Sequence, residues 1–253
     1  TFAELVRISG LSHGTDVWLG NAQTLIKEGK ATISTAICTR DDIMIYLIQK
    51  GLDSEESFKI MEMVRKGKVA SGICKEWPEW KQDMIDHGVP DWYIWSCERI
   101  KYMFPKAHAA AYVMMAWRVA YCKVFYPLAY YTAYFSIRAT AFDYEKMAMS
   151  PVRLEHYIAE YKAKKAEGTI SNTEEDELGV MRIVQEMHAR GYEFTPIDIY
   201  KAKARTFQII DGKIMPSFKV ISKVGEVAGE SIEIAARDGE FLSKDDLRQR
   251  AKI

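Results

Sequence analysis

Lys106, His108 and Tyr112 are the residues of this sequence whose types and spacing best suit chemistry. They fall in Phe104-Pro105-Lys106-Ala107-His108-Ala109-Ala110-Ala111-Tyr112. Pro105 and the polar residues after it read as a helix entrance, and the alanines that follow have the highest helix propensity of any residue. A helix start offers unpaired N–H groups and a partial positive charge. Lys106 and His108 stand beside it, with Tyr112 one turn further along the same face, an arrangement that suits a phosphate. The same residues admit a plainer reading, with Lys106 solvated, His108 capping the helix and Tyr112 in the core. His13, in Ser12-His13-Gly14, is the one other suggestive histidine, whereas His87, His156 and His188 read as surface or capping residues.

The elements that must position these residues are helical. Between residues 109 and 126 there is neither Gly nor Pro, so the pattern predicts one helix of about five turns. Pro127 breaks or kinks it, and residues 128–135 resume as a second helix. Arg118 and Lys123 interrupt the apolar run and make a bilayer span expensive, so the expectation is a buried helix of a large soluble core. Residues 2–9 and 21–28 read as short helices around a turn at 10–14. Residues 43–50 and 54–66 read as longer ones, the first capped by Asp41 and Asp42. Within the first 140 residues a strand is expected at most at 31–38. After Phe142 the chain becomes more charged and poorer in aromatics, with helices expected at 152–166 and 174–189. Residues 206–210 and 213–215 then flank Asp211-Gly212 as a β-hairpin. The expected fold is mainly α, with a soft boundary near 142–150 separating regions 1–145 and 146–253.

Composition narrows the function classes. Lys and Arg together number 35, as do Asp and Glu, so the formal net charge is zero and any nucleic-acid surface must be local. Cys38, Cys74, Cys97 and Cys122 form no C-x-x-C pair and read as reduced cytoplasmic thiols, not a zinc site or a disulfide framework. No signal peptide or transmembrane pattern is visible, so a soluble cytoplasmic protein with no membrane partner is expected. The opening residues already read as helix, which looks like a piece of a longer protein. There is no G-x-S-x-G, GxGxxG or Walker pattern. The adjacent acids Asp41-Asp42 and Asp245-Asp246 sit well as helix caps, and no metal site is assigned.

Several motifs, in order along the chain, carry a resemblance. They are Ile8-Ser9-Gly10-Leu11-Ser12-His13-Gly14-Thr15-Asp16-Val17-Trp18, Thr39-Arg40-Asp41-Asp42-Ile43-Met44, Met63-Val64-Arg65-Lys66-Gly67-Lys68 and Val89-Pro90-Asp91-Trp92-Tyr93-Ile94. The stretch from Phe104 to Tyr112 and Met187-His188-Ala189-Arg190-Gly191-Tyr192 complete the set. Together they resemble the alpha subunits of bacterial replicative DNA polymerase III, of the PolC type. The resemblance implies the fingers, taken as 1–145, followed by the start of a duplex-binding region at 146–253. It implies that Arg40, in the Arg-Asp-Asp motif, meets the triphosphate of an incoming nucleotide together with Lys106 and His108, with Tyr112 near sugar or base. Arg99, Lys101 and Arg118 are second choices, and His13 joins the nucleotide-binding set.

Residues 218–228 resemble a helix-hairpin-helix element, placed near 216–240, whose turn is Lys223-Val224-Gly225. The family pattern there is Gly-hydrophobic-Gly, which lets backbone N–H groups approach a DNA phosphate. Lys219, Lys223, Val224 and Gly225 are the implied DNA contacts, with the first Gly replaced by Lys223. The resemblance further implies Mg²⁺ in the full enzyme, held by palm aspartates outside this chain, and therefore no polymerase activity of the chain alone. The implied partners are primer-template DNA, deoxynucleoside triphosphates, the remainder of the polymerase, and the sliding clamp and other replisome proteins. A different class of function is a non-catalytic helical module that binds nucleic acid or protein. Convergence of Arg40, Lys106, His108 and Tyr112 on one pocket distinguishes the first reading from the second.

Overall fold

The computed structural model describes residues 1–253. The chain forms two compact units, Thr1–Arg118 and Val119–Ile253. The division by contacts falls within a helix, ahead of the compositional change at 142–150. The fold is mainly α.

The first unit contains α1 (Phe2–His13), α2 (Gln23–Lys27), α3 (Arg40–Gln49), α4 (Ser54–Arg65), α5 (Trp77–Asp86), α6 (Asp91–Cys97) and the beginning of α7 (Lys106–Phe125). Its core is built from Leu11, Leu25, Ile37, Ile43, Leu47, Ile60, Val64, Met84, Tyr93 and Ile100, with α3 packed on α4. Asp53 caps α4 by accepting from the Glu55 and Glu56 N–H groups, and Asp42 Oδ2 accepts from those of Cys38 and Thr39 ahead of α3.

Three local expectations are corrected. The turn expected at 10–14 does not interrupt α1, which runs through Gly10 to His13. Gly10 serves close packing instead: a Cβ there would stand 2.6 Å from the Cys38 carbonyl oxygen. Residues 31–38 form turns and no strand. Arg7 satisfies part of that segment's backbone by donating from Nη1 to the carbonyl of Ala36 at 3.2 Å and to that of Ile33 at 3.5 Å. Finally, α7 is not a buried core helix. Only Ala109 and Val113 are buried, against Val6 of α1, while Tyr112, Met115, Trp117, Tyr121 and Phe125 are all more than half exposed.

The second unit holds the end of α7, then α8 (Pro127–Ile137), α9 (Tyr144–Met147), α10 (Pro151–Glu167) and α11 (Asn172–Ala189). Next come β1 (Gln208–Ile210), β2 (Lys213–Met215), a 3₁₀ turn (Phe218–Val220), α12 (Glu226–Ala236) and α13 (Lys244–Ala251). Phe135, Phe142, Phe194 and Phe207 pack edge-on and tilted against one another at its centre. Pro127 starts α8 as its fixed φ favours. The hairpin pairs Ile210 with Lys213 across Asp211 and Gly212, both at positive φ, as a two-residue primed turn requires. No helix is long and apolar enough to cross a membrane.

Candidate nucleotide-binding site

The site is assembled where the start of α3, the end of α1 and the start of α7 meet in the first unit. The Arg40 N–H donates to the Phe104 carbonyl at 3.2 Å, and Asp41 Oδ2 accepts from the Lys106 N–H at 2.6 Å. Residues 40–41 are therefore locked beside 104–106. Asp41, expected at the head of α3, caps α7 instead. A carboxylate already occupies the favourable charge position at that helix start, so an anionic ligand there must be held chiefly by side chains.

From this junction a row of rings projects. Phe104 stacks on His108 with centroids 4.9 Å apart, and His108 lies 4.6 Å from Tyr112. His13 approaches Phe104, His108 and Tyr112 at 6.1, 6.5 and 6.3 Å. Its Nδ1 is paired with the Ser9 carbonyl at 2.6 Å, which fixes the ring at the end of α1. Tyr112 is 59% exposed, so it is not the core residue of the plainer reading. Its open aromatic surface, with two histidines beside it, can stack against a planar group.

The cations divide. Arg40 Nη1 stands 3.8 Å from Glu62 Oε1. Lys106 lines a different groove, with Arg7, Asp42, Tyr46, Trp92 and Tyr93. His13, His108 and Tyr112 thus come together, Arg40 is tied to the foot of the row through its backbone at Phe104, and Lys106 lines the other groove. Of the second choices, Arg99 stacks on the Trp95 ring at 3.6 Å, Lys101 pairs with Asp16 at 2.8 Å, and Arg118 is exposed on α7.

Glu62, Asp41 and Phe104 are site residues that motif reading did not single out. Glu62 could have been found from its spacing, since Arg65 at i+3 on α4 and Lys66 at i+4, just past its end, follow it. Its carboxyl is held down at about 2, first by the hydrogen bonds from Arg65 and against the opposing effect of burial. Cys38, at the foot of the site, has its thiol pushed up to about 11 by burial and by Asp42, so it stays protonated and unreactive at neutral pH.

In the second unit, Lys219 Nζ donates to the Ser136 carbonyl at 2.7 Å, so this expected DNA contact is engaged inside the protein. Lys223 is exposed, at φ 67°. It adopts the left-handed conformation for which glycine is suited, at the position where the family pattern has Gly. Val224 closes the turn through its N–H to the Ile221 carbonyl, and Gly225 leads into α12.

The carboxylates present do not suit a divalent ion. Asp41 and Asp42, the acidic pair nearest the site, each have an oxygen taken by backbone N–H groups, and no three His, Cys, Asp or Glu residues gather in metal-binding geometry.

Residues 1–88 match the model of the bacterial DNA polymerase III alpha subunit finger domain, which gives the class. Over its whole length the chain is 51% identical to a DNA polymerase III PolC-type of Streptococcus suis. It is 50% identical to that of Streptococcus thermophilus and 51% identical to that of Bacillus cereus. In each case it spans 17% of the relative's length. The chain is thus similar along its whole length to PolC-type DNA polymerases III and corresponds to a short segment of them.

Proposed function

We propose that this chain is the nucleotide-gripping fingers, with the start of the duplex-binding region, of a DNA-directed DNA polymerase of bacterial chromosome replication. The observation that carries the reading is the row His13–Phe104–His108–Tyr112 rising from the point where Arg40 begins α3. An incoming deoxynucleoside triphosphate presents a planar base and a polyanionic tail. Exposed rings with an arginine at their base answer both.

The chemistry asked of these residues is binding and positioning. Arg40 meets the triphosphate, Tyr112 packs on the sugar or base, and His13 and His108 hold Tyr112 and line the approach. Lys106, across the 104–106 backbone from the rings, serves the phosphate only if its side chain swings towards them. Nucleotidyl transfer also uses Mg²⁺, and in this reading the carboxylates that hold it belong to the palm, outside this chain. Around Lys223-Val224-Gly225, a helix-hairpin-helix turn supports the duplex. The partners of such a polymerase are primer-template DNA, the rest of the enzyme, and the sliding clamp and replisome proteins of the cytoplasm.

The test is single-turnover incorporation by the complete polymerase with saturating primer-template. Arg40→Ala should slow incorporation on the order of a hundredfold, the usual loss when one preorganised donor to developing charge is removed. DNA affinity should change little, and Tyr112→Phe should cost less because the ring remains. Near wild-type incorporation by Arg40→Ala, with DNA affinity collapsed, would reassign the residue to DNA.

A further inference from the structure

Glu62 sits on α4 with a side chain only 16% exposed, and three cations surround it. Arg65 grips it with a fork, through Nε to Oε1 and through Nη2 to Oε2 at 2.7 Å. Lys66 Nζ adds a contact to Oε2 at 2.9 Å. Arg40 Nη1 is 3.8 Å from Oε1, inside Coulomb range but outside hydrogen-bond range. A carboxylate has about four lone-pair positions, and the two neighbours on its own helix fill most of them. Arg40 is therefore drawn to Glu62 without being bonded to it. It comes from another helix, and its backbone is fixed by the Phe104 carbonyl.

Resting on the reading of Arg40 as a triphosphate contact, we propose that Glu62 is the positioning residue for Arg40. It restrains the guanidinium within reach of the ring row and yields it to the nucleotide when phosphate oxygens arrive. Arg65 and Lys66 make this exchange inexpensive, because Glu62 remains fully paired once Arg40 has left. Three cations against one carboxylate leave a local excess of two positive charges, which favours a polyanion. A neutral residue at 62 increases that excess while removing the restraint. Ground-state attraction for the triphosphate then rises or holds, and the rate of incorporation falls because Arg40 is no longer placed. A merely structural role would lower the active fraction and leave that split unmade.

The experiment uses the complete polymerase in single-turnover incorporation, with Glu62→Gln, Arg40→Ala and the double variant. Glu62→Gln should lower the maximal rate about tenfold without raising the nucleotide concentration for half-maximal rate, at unchanged primer-template affinity. In the Arg40→Ala background the further loss from Glu62→Gln should shrink to less than about twofold, since residues acting as a unit are not additive. A wild-type rate in Glu62→Gln, or the full loss persisting without Arg40, overturns the role of Glu62 alone. A wild-type rate in Arg40→Ala overturns the nucleotide reading beneath it. Should Glu62→Gln fail to fold, Glu62→Asp, which keeps the charge but withdraws it by a methylene, should show a smaller loss with the same split. Its absence in folded Glu62→Asp refutes the proposal equally.

Discussion

Gly10→Ala should destabilise the first unit, against the usual rule for glycine inside a helix. Replacing a mid-helix glycine by alanine ordinarily stabilises by about 1 kcal/mol. At Gly10 the added methyl would meet the Cys38 carbonyl oxygen at 2.6 Å, the Thr39 Cγ2 at 2.9 Å and the Cys38 carbonyl carbon at 3.1 Å. Two of these obstacles are backbone, in a buried segment tied to Asp42 through the Cys38 and Thr39 N–H groups, so relief requires α1 to move. Overpacking of this kind costs about 1–3 kcal/mol, and the upper end applies because the closest obstacle, the Cys38 carbonyl, is backbone and cannot rotate away. The net expectation is a loss of about 1–2 kcal/mol after the propensity gain. Gly179 is the internal control: it lies within α11 and a Cβ there meets nothing within 4 Å, so Gly179→Ala should stabilise by about 0.5–1 kcal/mol. Denaturant unfolding separates the two, because all six tryptophans lie at or before Trp117 and their fluorescence reports the first unit. Far-UV circular dichroism reports both. A fluorescence midpoint for Gly10→Ala at or above that of the parent chain would show that the contact yields and that the argument from close approach is wrong.

Further outcomes follow from the charges and the turn. Glu62 has its carboxyl depressed to about 2 from an ordinary 4.5, so its ion cluster contributes stability fully present above pH 4.5 and lost as pH falls towards 2. Acid unfolding followed by fluorescence should therefore lose part of its pH dependence in that window in Glu62→Gln, and an unchanged slope would mean the cluster adds nothing. Lys223→Gly should relieve the left-handed backbone, raising stability by roughly 0.5–1 kcal/mol after the entropy cost of glycine. It should also reduce the salt slope of duplex binding by the complete polymerase by about one charge. Lys219→Ala should instead lower stability, because it frees the Ser136 carbonyl.

Much of this structure was written locally. The helices at 43–50, 54–66, 152–166 and 174–189 carry their own caps and apolar stripes, and Asp211-Gly212 specifies its hairpin with two left-handed residues. What local pattern could not supply was pairing across the chain. Asp41 reads as a cap for the helix it adjoins, yet it closes one that begins 65 residues later. Gly10 looks like punctuation because sequence shows the missing side chain and not the carbonyl pressed into its place. Residues 31–38 have β-branched residues in a strand-like pattern, but a strand needs a partner edge, and Arg7 meets those carbonyls instead. The ring row was legible at His108 and Tyr112, which share a helix face. Lys106 lies nearly opposite His108 on the helix, so the shared helix entrance that groups the two in sequence does not put them on one face.

The exposed face of α7 is the most instructive departure. Hydrophobic density between residues 109 and 126 argued for burial, and burying each large apolar side chain would favour folding by about 1.5–3 kcal/mol. The chain buries two small positions, Ala109 and Val113, where close approach to α1 needs little volume, and leaves Trp117, Tyr121 and Phe125 in the open. Arg118 and Lys123 had excluded a bilayer, and the remaining inference, a core helix, assumed that the helix and its cover lie in one chain. Within this chain, which spans 17% of its relatives' length, that face has no cover. An apolar pattern records how much surface a helix withholds from water in the molecule to which it belongs. It does not record which residues do the covering. The side chains of α7 nearest the ring row, Tyr112 and Met115, follow His108 on one stripe, whereas Trp117, Tyr121 and Phe125 lie round on another face of the helix, so the nucleotide candidates and the uncovered apolar residues occupy separate faces of α7.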